Sequence, residues 1–124
     1  MLLVDPQTYD MTIEAGDQEK IKFTLTDSTG AAYNATSCAF SFVAKASLDD
    51  AIGAALINVS TGANPTQWDL ALASTGIIVL TFLPANTNLL GGRRLVYGLK
   101  MTDALSAPHT PRVATMVVRK NPVV

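Results

Sequence analysis

Residues 20–30 read Lys-Ile-Lys-Phe-Thr-Leu-Thr-Asp-Ser-Thr-Gly and indicate how this chain folds. Ile21, Phe23 and Leu25 alternate with lysines and threonines, which is the period-two pattern of a strand with one buried face. Asp27 then supplies a turn former, and Gly30 supplies a residue that is free to adopt positive φ. The stretch therefore predicts a half-buried strand that ends in a tight reversal.

Similar short apolar segments recur along the chain, separated by residues typical of turns. Further strands are predicted over residues 37–45, 55–60, 68–73, 76–83, 94–103 and 112–120. Ser47 is predicted to open a short helical turn, and a loop containing Pro108 and Pro111 is predicted before the last strand. Many short strands without a long helical period favour two packed sheets. The predicted fold is an all-β, immunoglobulin-like antiparallel β-sandwich of seven to eight strands.

The length predicts one domain. We assign residues 1–12 to an N-terminal arm or first strand, residues 13–120 to the sandwich and residues 121–124 to a C-terminal tail.

Composition argues against several classes of partner. Of the 124 residues, 48% are hydrophobic and only 15% are charged, and the net charge is -1. This balance provides no overall positive charge for a phosphate backbone or an anionic membrane, so we expect no nucleic-acid and no membrane partner. Met1 to Val4 is apolar, and Asp5-Pro6 ends this apolar run. The run is far too short for a signal sequence or a membrane span. Cys38 is the only cysteine, so no disulfide within the chain is expected.

The sequence contains no pattern that predicts catalysis. His109 is the only histidine and lies between two prolines, with no nucleophile placed beside it by a motif. Asp49-Asp50 lacks the further oxygen ligands that calcium requires. Gly91-Gly92 precedes two arginines, yet a strand rather than a helix follows, so the glycines fit a reversal better than a phosphate loop. We predict no enzyme activity, no catalytic residue, no cofactor and no metal site.

Two aromatic residues could have another use. Trp68 and Tyr97 could line a sugar-binding platform, but with so few aromatic residues in the chain they are needed to fill the core. We therefore predict that both rings are buried.

The informative feature is that the strands carry more apolar residues than one buried face requires. Val43, Val79 and Val96, together with Val117, fall on the strand faces opposite to the main alternation. Such residues either line a second buried layer or contact another protein. The two chain ends are apolar as well and would suit arms that lie against neighbours. The predicted protein-interface residues are Leu2, Leu3, Val4, Val79, Val96, Val117 and Val123.

The order of these segments resembles that of a known family. The opening half contains Gly16-Asp17, Ile21-x-Phe23-x-Leu25-Thr26-Asp27, Gly30-Ala31 and Phe40-x-Phe42. The second half contains Gly76-x-Ile78-x-Leu80-x-Phe82-x-Pro84, Gly92 and Val96-Tyr97-x-Leu99-x-Met101-Thr102-Asp103. From about Ile13 to Val118, this order is similar to the immunoglobulin-like N-terminal domain of phage baseplate upper proteins. The sequence departs from that family near Val113, where the family's glycine is not evident.

The resemblance implies a virion component that is assembled in the host cytoplasm. Its partners would be other virion proteins, such as tail, baseplate or fibre subunits, within a homo-oligomer or a large symmetric assembly. The contacts would use sandwich faces and edge strands, without catalysis or cofactor. Two alternatives remain open: a carbohydrate- or receptor-binding β-sandwich, and a capsid decoration protein.

Overall fold

The computed structural model describes residues 2–4, 11–27, 29–47, 55–103 and 105–120, with the backbone alone described for 2–4 and 109–113. Nine strands form within these residues. They are β1 (Leu2–Val4), β2 (Met11–Glu14), β3 (Glu19–Thr24), β4 (Ala39–Lys45), β5 (Ile57–Ser60), β6 (Trp68–Asp69), β7 (Ile77–Phe82), β8 (Arg93–Thr102) and β9 (Pro108–Arg119). Two single-turn 3₁₀ segments, Pro65–Gln67 and Ala73–Thr75, and one short α-helix, α1 (Pro84–Thr87), complete the described elements. This α-helix has only four residues, so no described helix could span a bilayer.

The strands form two sheets. One has four strands in the order β1-β3-β7-β6, and the other has five in the order β2-β9-β8-β4-β5. The predicted all-β sandwich is thus confirmed. Counting β1 and the two-residue β6 brings the number of strands above the seven to eight predicted. The alternation seen in the sequence sets which side chains face inward, because successive residues of a strand point to opposite faces.

The two N-terminal strands depart from the antiparallel arrangement. β1 runs parallel to β3, with Leu2 opposite Ile21. β2 runs parallel to β9, with Met11 opposite Met116. The other described pairings are antiparallel. Met11 is only 3% exposed, so the buried part of the sandwich begins ahead of the predicted boundary at residue 13.

Four aromatic rings join the two sheets. Phe42 of β4 lies at their centre, stacked on Tyr97 of β8 at 5.2 Å between ring centroids. From the other sheet, Phe82 meets Phe42 edge-on at 5.1 Å and Phe23 packs at 6.4 Å. Each ring comes from an alternating strand position that faces inward, and the burial of Phe23 confirms the half-buried strand predicted around Ile21, Phe23 and Leu25.

Two predicted segments were wrong in detail. The predicted strand over 68–73 ends at Asp69, because the Asp69 carboxylate accepts the N–H of Ala71 at 3.0 Å and turns the chain. The predicted loop around Pro108 and Pro111 is instead the start of β9. β2 pairs only with residues 116–119, so the first part of β9 is a sheet edge, where proline is tolerated. The helical turn predicted from Ser47 lies mostly outside the described residues.

The reversal predicted after the opening strand forms. Gly30 has φ +85°, and its N–H donates to the carbonyl of Asp27 at 3.0 Å. Thr26 and Ala32, on either side of this turn, form an isolated antiparallel bridge. The chain then crosses to the other sheet, so the reversal does not join two strands of one hairpin.

Candidate interaction surfaces

The outward face of the five-stranded sheet carries an apolar diagonal. Val96 lies opposite Thr115 on β9 and Lys45 on β4, while Val117 lies opposite Arg94. This register places Val96 and Val117 on adjacent strands as diagonal neighbours, at the about 7–8 Å typical of such pairs. Both side chains are half-buried. Two of the predicted interface residues are thus brought together on one surface.

Val43 continues this diagonal onto β4. It lies opposite Gly98, one step diagonally from Val96, and it points away from the Phe40, Phe42 and Ala44 face of its own strand. Yet it is only 5% exposed and does not belong to the contiguous core cluster. Of the four surplus valines, Val43 is therefore a packed residue of the outer layer, whereas Val96 and Val117 remain partly open to solvent.

Val79 lies elsewhere. It is on the outward face of the four-stranded sheet, in a row between Lys22 of β3 and Asp69 of β6. The charged residues on either side make this a mixed surface. The predicted interface residues therefore do not form a single site, since Val79 faces away from Val96 and Val117.

The chain ends give less information. Leu2, Leu3 and Val4 form β1 at the edge of the four-stranded sheet. Val123 lies outside the described residues. An edge strand presents unpaired backbone groups along one side, which is the geometry required for strand addition.

Basic residues surround the apolar diagonal. Their pattern is visible only once the strand order is known, because they come from three strands. They are Lys45, Arg94, Lys100 and Arg119, whose strand positions all face outward from the five-stranded sheet. The single carboxylate on this face within the described residues is Glu14, which lies 3.3 Å from Arg119. Sequence reasoning missed this charge asymmetry because the charges are far apart along the chain.

A cavity of about 280 Å³ lies beside Lys100. Its lining residues are Ala39, Phe40, Ser41, Ser60, Thr61, Gly62, Lys100 and Thr102. Two of the hydroxyl groups are held in place: Ser60 Oγ accepts the N–H of Ala63 at 3.1 Å, and Thr61 Oγ1 accepts the N–H of Phe40 at 3.1 Å. A hydroxyl that accepts a backbone N–H keeps its own proton for donation. The cavity therefore offers one cation and two hydroxyl groups that can donate, with no carboxylate among its lining residues.

A second cavity, of about 350 Å³, opens between the β3–β4 and β8–β9 connections. Tyr33, Cys38, Asp103 and Leu105 contribute to it, and Asp103 accepts the backbone N–H groups of Leu105 and Ala107 at 2.9 Å each. Loss of solvent raises the pKa of Tyr33, and the neighbouring Cys38 and Asp103 raise it further. The phenol of Tyr33 therefore keeps its proton to a higher pH than a free tyrosine does.

The aromatic residues considered for a sugar platform are both in the core. Trp68 is 7% exposed and stacks on Phe40 at 5.9 Å, and Tyr97 is 1% exposed. Neither ring presents a face to a ligand. The indole Nε1 of Trp68 is buried and has no hydrogen-bond partner among the residues that the structure describes.

Of the residues considered for chemistry, the structure describes the Gly91-Gly92 pair. Gly91-Gly92 leads into β8, with Gly92 at φ +84° and its N–H donating to the carbonyl of Val118 at 2.7 Å. The pair is thus a turn between α1 and β8. The side chain of His109 and the pair Asp49-Asp50 lie outside what the structure describes. Within the described ranges, no three His, Cys, Asp or Glu side chains converge as metal ligands.

No protein-family model matches the chain, and no curated protein sequence is significantly similar to it.

Proposed function

We propose that this sandwich is a structural module of a phage or prophage virion, a tail, baseplate or fibre-connecting component that acts through protein–protein contacts. The observation that carries the proposal is the pair Val96 and Val117, which are diagonal neighbours and only half-buried on the outward face of the five-stranded sheet. Aliphatic side chains in such a position favour a surface that another protein covers. The resemblance of the segment order to baseplate upper proteins supplies the virion context.

The strand order supports the immunoglobulin-like part of the proposal. β3, β7 and β6 form one sheet, and β9, β8, β4 and β5 form the core of the other. Sandwiches of the immunoglobulin class divide their strands between two sheets in this way. Such sandwiches expose two outer faces and several edge strands, which suits a small connecting module that contacts several neighbours.

The alternative of a carbohydrate- or receptor-binding sandwich loses support. It depended on Trp68 and Tyr97 as exposed rings, and both are buried. A capsid decoration protein would use the same kind of sheet-face contact, so that alternative differs from the first only in where the protein sits on the particle.

The test is incorporation into particles of the phage or prophage that encodes the chain. The wild-type protein is expected to co-purify with particles on a density gradient, and immunogold electron microscopy then distinguishes a tail position from a head position. Val117→Lys should stay folded, because the side chain is only half-buried, but should be lost from particles. Light scattering of the purified protein provides a second measure of assembly.

The matched control is Val79→Lys, the same change on the outward face of the other sheet. It should fold and still be incorporated, since its row is already bracketed by Lys22 and Asp69. A wild-type protein that stays monomeric in solution and is absent from purified particles would overturn the proposal.

A further inference from the structure

The outward face of the five-stranded sheet has a charge opposite in sign to that of the whole chain. In the part of the chain that the structure describes, four basic residues lie there against one carboxylate, Glu14, which is already paired with Arg119. The chain as a whole carries a net charge of -1. Neither Arg94 nor Lys100 has an ion-pair partner among the described residues, and both side chains are exposed. Among the described residues, this face therefore has an excess of positive charge and attracts negative charge.

Arg94 and Lys100 define the length of this surface. Both point outward from β8, with Val96 and Gly98 between them on the same face. The two cations are six residue steps apart along an extended strand, a separation of roughly 20 Å. The cavity beside Lys100 lies at one end, and the Arg94 and Val117 row lies at the other. The order along the strand is thus cation, aliphatic side chain, glycine, cation.

We infer that this face binds an acidic protein segment, one that places an aliphatic side chain against Val96 and Val117 and seats a carboxylate in the cavity beside Lys100. The inference rests on the proposed function, to which it adds the chemistry of the partner. The hydroxyl protons of Ser60 and Thr61 and the ammonium of Lys100 supply the donors that a carboxylate oxygen requires.

Two other occupants fit less well. A second copy docked face to face would bring the same four cations against each other, which is unfavourable for like charges at an interface. Nucleic acid would match the sign of the charge, but DNA- and RNA-binding domains are usually strongly basic, whereas this chain has an isoelectric point near 5.6. The aliphatic diagonal between the cations also favours a protein over a phosphate backbone.

The experiment uses the full chain and a fluorescent peptide of alternating Glu and Val residues, with binding measured by anisotropy at low and high salt. Binding is expected to weaken by about tenfold between low and physiological ionic strength, because exposed charge pairs are screened. Lys100→Gln and Arg94→Gln are each expected to weaken binding several-fold at low salt. Lys22→Gln, which removes the same charge from the opposite sheet, is the matched control and should leave binding unchanged.

Three results would overturn the inference: no binding of the peptide, equal weakening by Lys22→Gln and Lys100→Gln, or preferential binding of a single-stranded oligonucleotide of equal charge. Circular dichroism of each variant verifies the fold, and all three substitutions neutralise side chains outside the core. Particle incorporation separates this inference from the proposed function. If the wild-type chain enters particles but ignores the acidic peptide, the partner chemistry is wrong while the virion role stands.

Discussion

Gln67 and Asn86 are joined by a hydrogen bond between their side-chain amides. Gln67 Nε2 donates to Asn86 Oδ1 at 2.9 Å and also to the carbonyl of Thr81 at 2.9 Å. Asn86 Oδ1 in turn accepts the N–H of Leu83 at 2.8 Å, which fixes the start of α1. Gln67 is 6% exposed, so a polar side chain is buried where the chain enters β6 and holds the connection that follows β7.

Replacing this amide should destabilise the sandwich. Gln67→Ala removes two hydrogen bonds and leaves the carbonyl of Thr81 without its partner, at an expected cost of about 1–3 kcal/mol. Urea unfolding measures it as a lower midpoint. Gln18→Ala, at an exposed position, is the matched control and should change stability by less than about 0.5 kcal/mol. Equal midpoints for the two variants would show that the buried amide is not structurally important.

At Gly76 a side chain would collide with the backbone. It has φ +81°, and a Cβ built there would lie 2.4 Å from the carbonyl oxygen of Leu25. Gly76→Ala should therefore cost at least about 2 kcal/mol. Gly92→Ala is the control, because Gly92 has φ +84° with open space around it. It should cost only about 1 kcal/mol. Thermal unfolding of both variants compares them, and a similar cost at the two positions would contradict the predicted collision.

Substitutions at Trp68 test whether its buried indole N–H, which has no described hydrogen-bond partner, affects the stability of the fold. Trp68→Phe removes the buried N–H and keeps a ring against Phe40, so the free energy of unfolding should change by less than about 1 kcal/mol. Trp68→Ala removes the ring itself and should cost about 3–5 kcal/mol. Chemical denaturation monitored by circular dichroism distinguishes them. If Trp68→Phe were as costly as Trp68→Ala, the indole N–H would have to be making an important hydrogen bond.

The carboxyl group of Asp27 is predicted to have a lowered pKa. The Thr29 hydroxyl donates to its carboxylate at 2.6 Å, and the N–H groups of Thr29 and Ala31 add to this, so its pKa is held below the ordinary value of 3.8. A carboxyl with a lowered pKa in the folded state stabilises the protein above its unfolded pKa. That contribution is lost as the pH falls through the lowered value, so the turn should loosen only in strong acid.

Thr29→Ala removes the largest of these causes and should raise the pKa of Asp27 toward 3.8. A carboxyl-carbon NMR titration measures the change. Thr36→Ala, which removes a comparable hydroxyl from the Asn34 turn, should leave the Asp27 titration where it is. An unaltered Asp27 titration in Thr29→Ala would show that the backbone donors alone account for the shift.

Much of the fold follows from the alternation of side chains. Ile21, Phe23, Phe42 and Tyr97 all face inward as their positions predict, because a strand has only two faces and the apolar one must be buried. What alternation does not contain is which strands are neighbours. β1 pairs in parallel with β3, β2 pairs in parallel with β9, and β9 continues through Pro111. These features depend on tertiary contacts that no local pattern encodes.

The candidate surface was also only partly predictable from the sequence. The sequence identified Val96 and Val117 as facing away from the core, but their adjacency depends on the β8–β9 register. Val79 looked equivalent in the sequence and lies on the other sheet. The basic residues around Val96 were visible singly, and only the strand order shows that they share one face.

The pairing of β2 with β9 has a consequence for how the chain folds. Met11 lies opposite Met116, so this strand finds its partner only about a hundred residues later in the chain, whereas β1 meets β3 within about twenty. Such distant pairings are slow to form, because the entropy cost of closing a long loop comes before any stabilising contact is made. During synthesis β2 therefore waits unpaired until almost the entire chain has emerged. The edge of β9 that β2 covers is then open to another strand, and the same edge could capture a neighbouring chain if β2 were delayed.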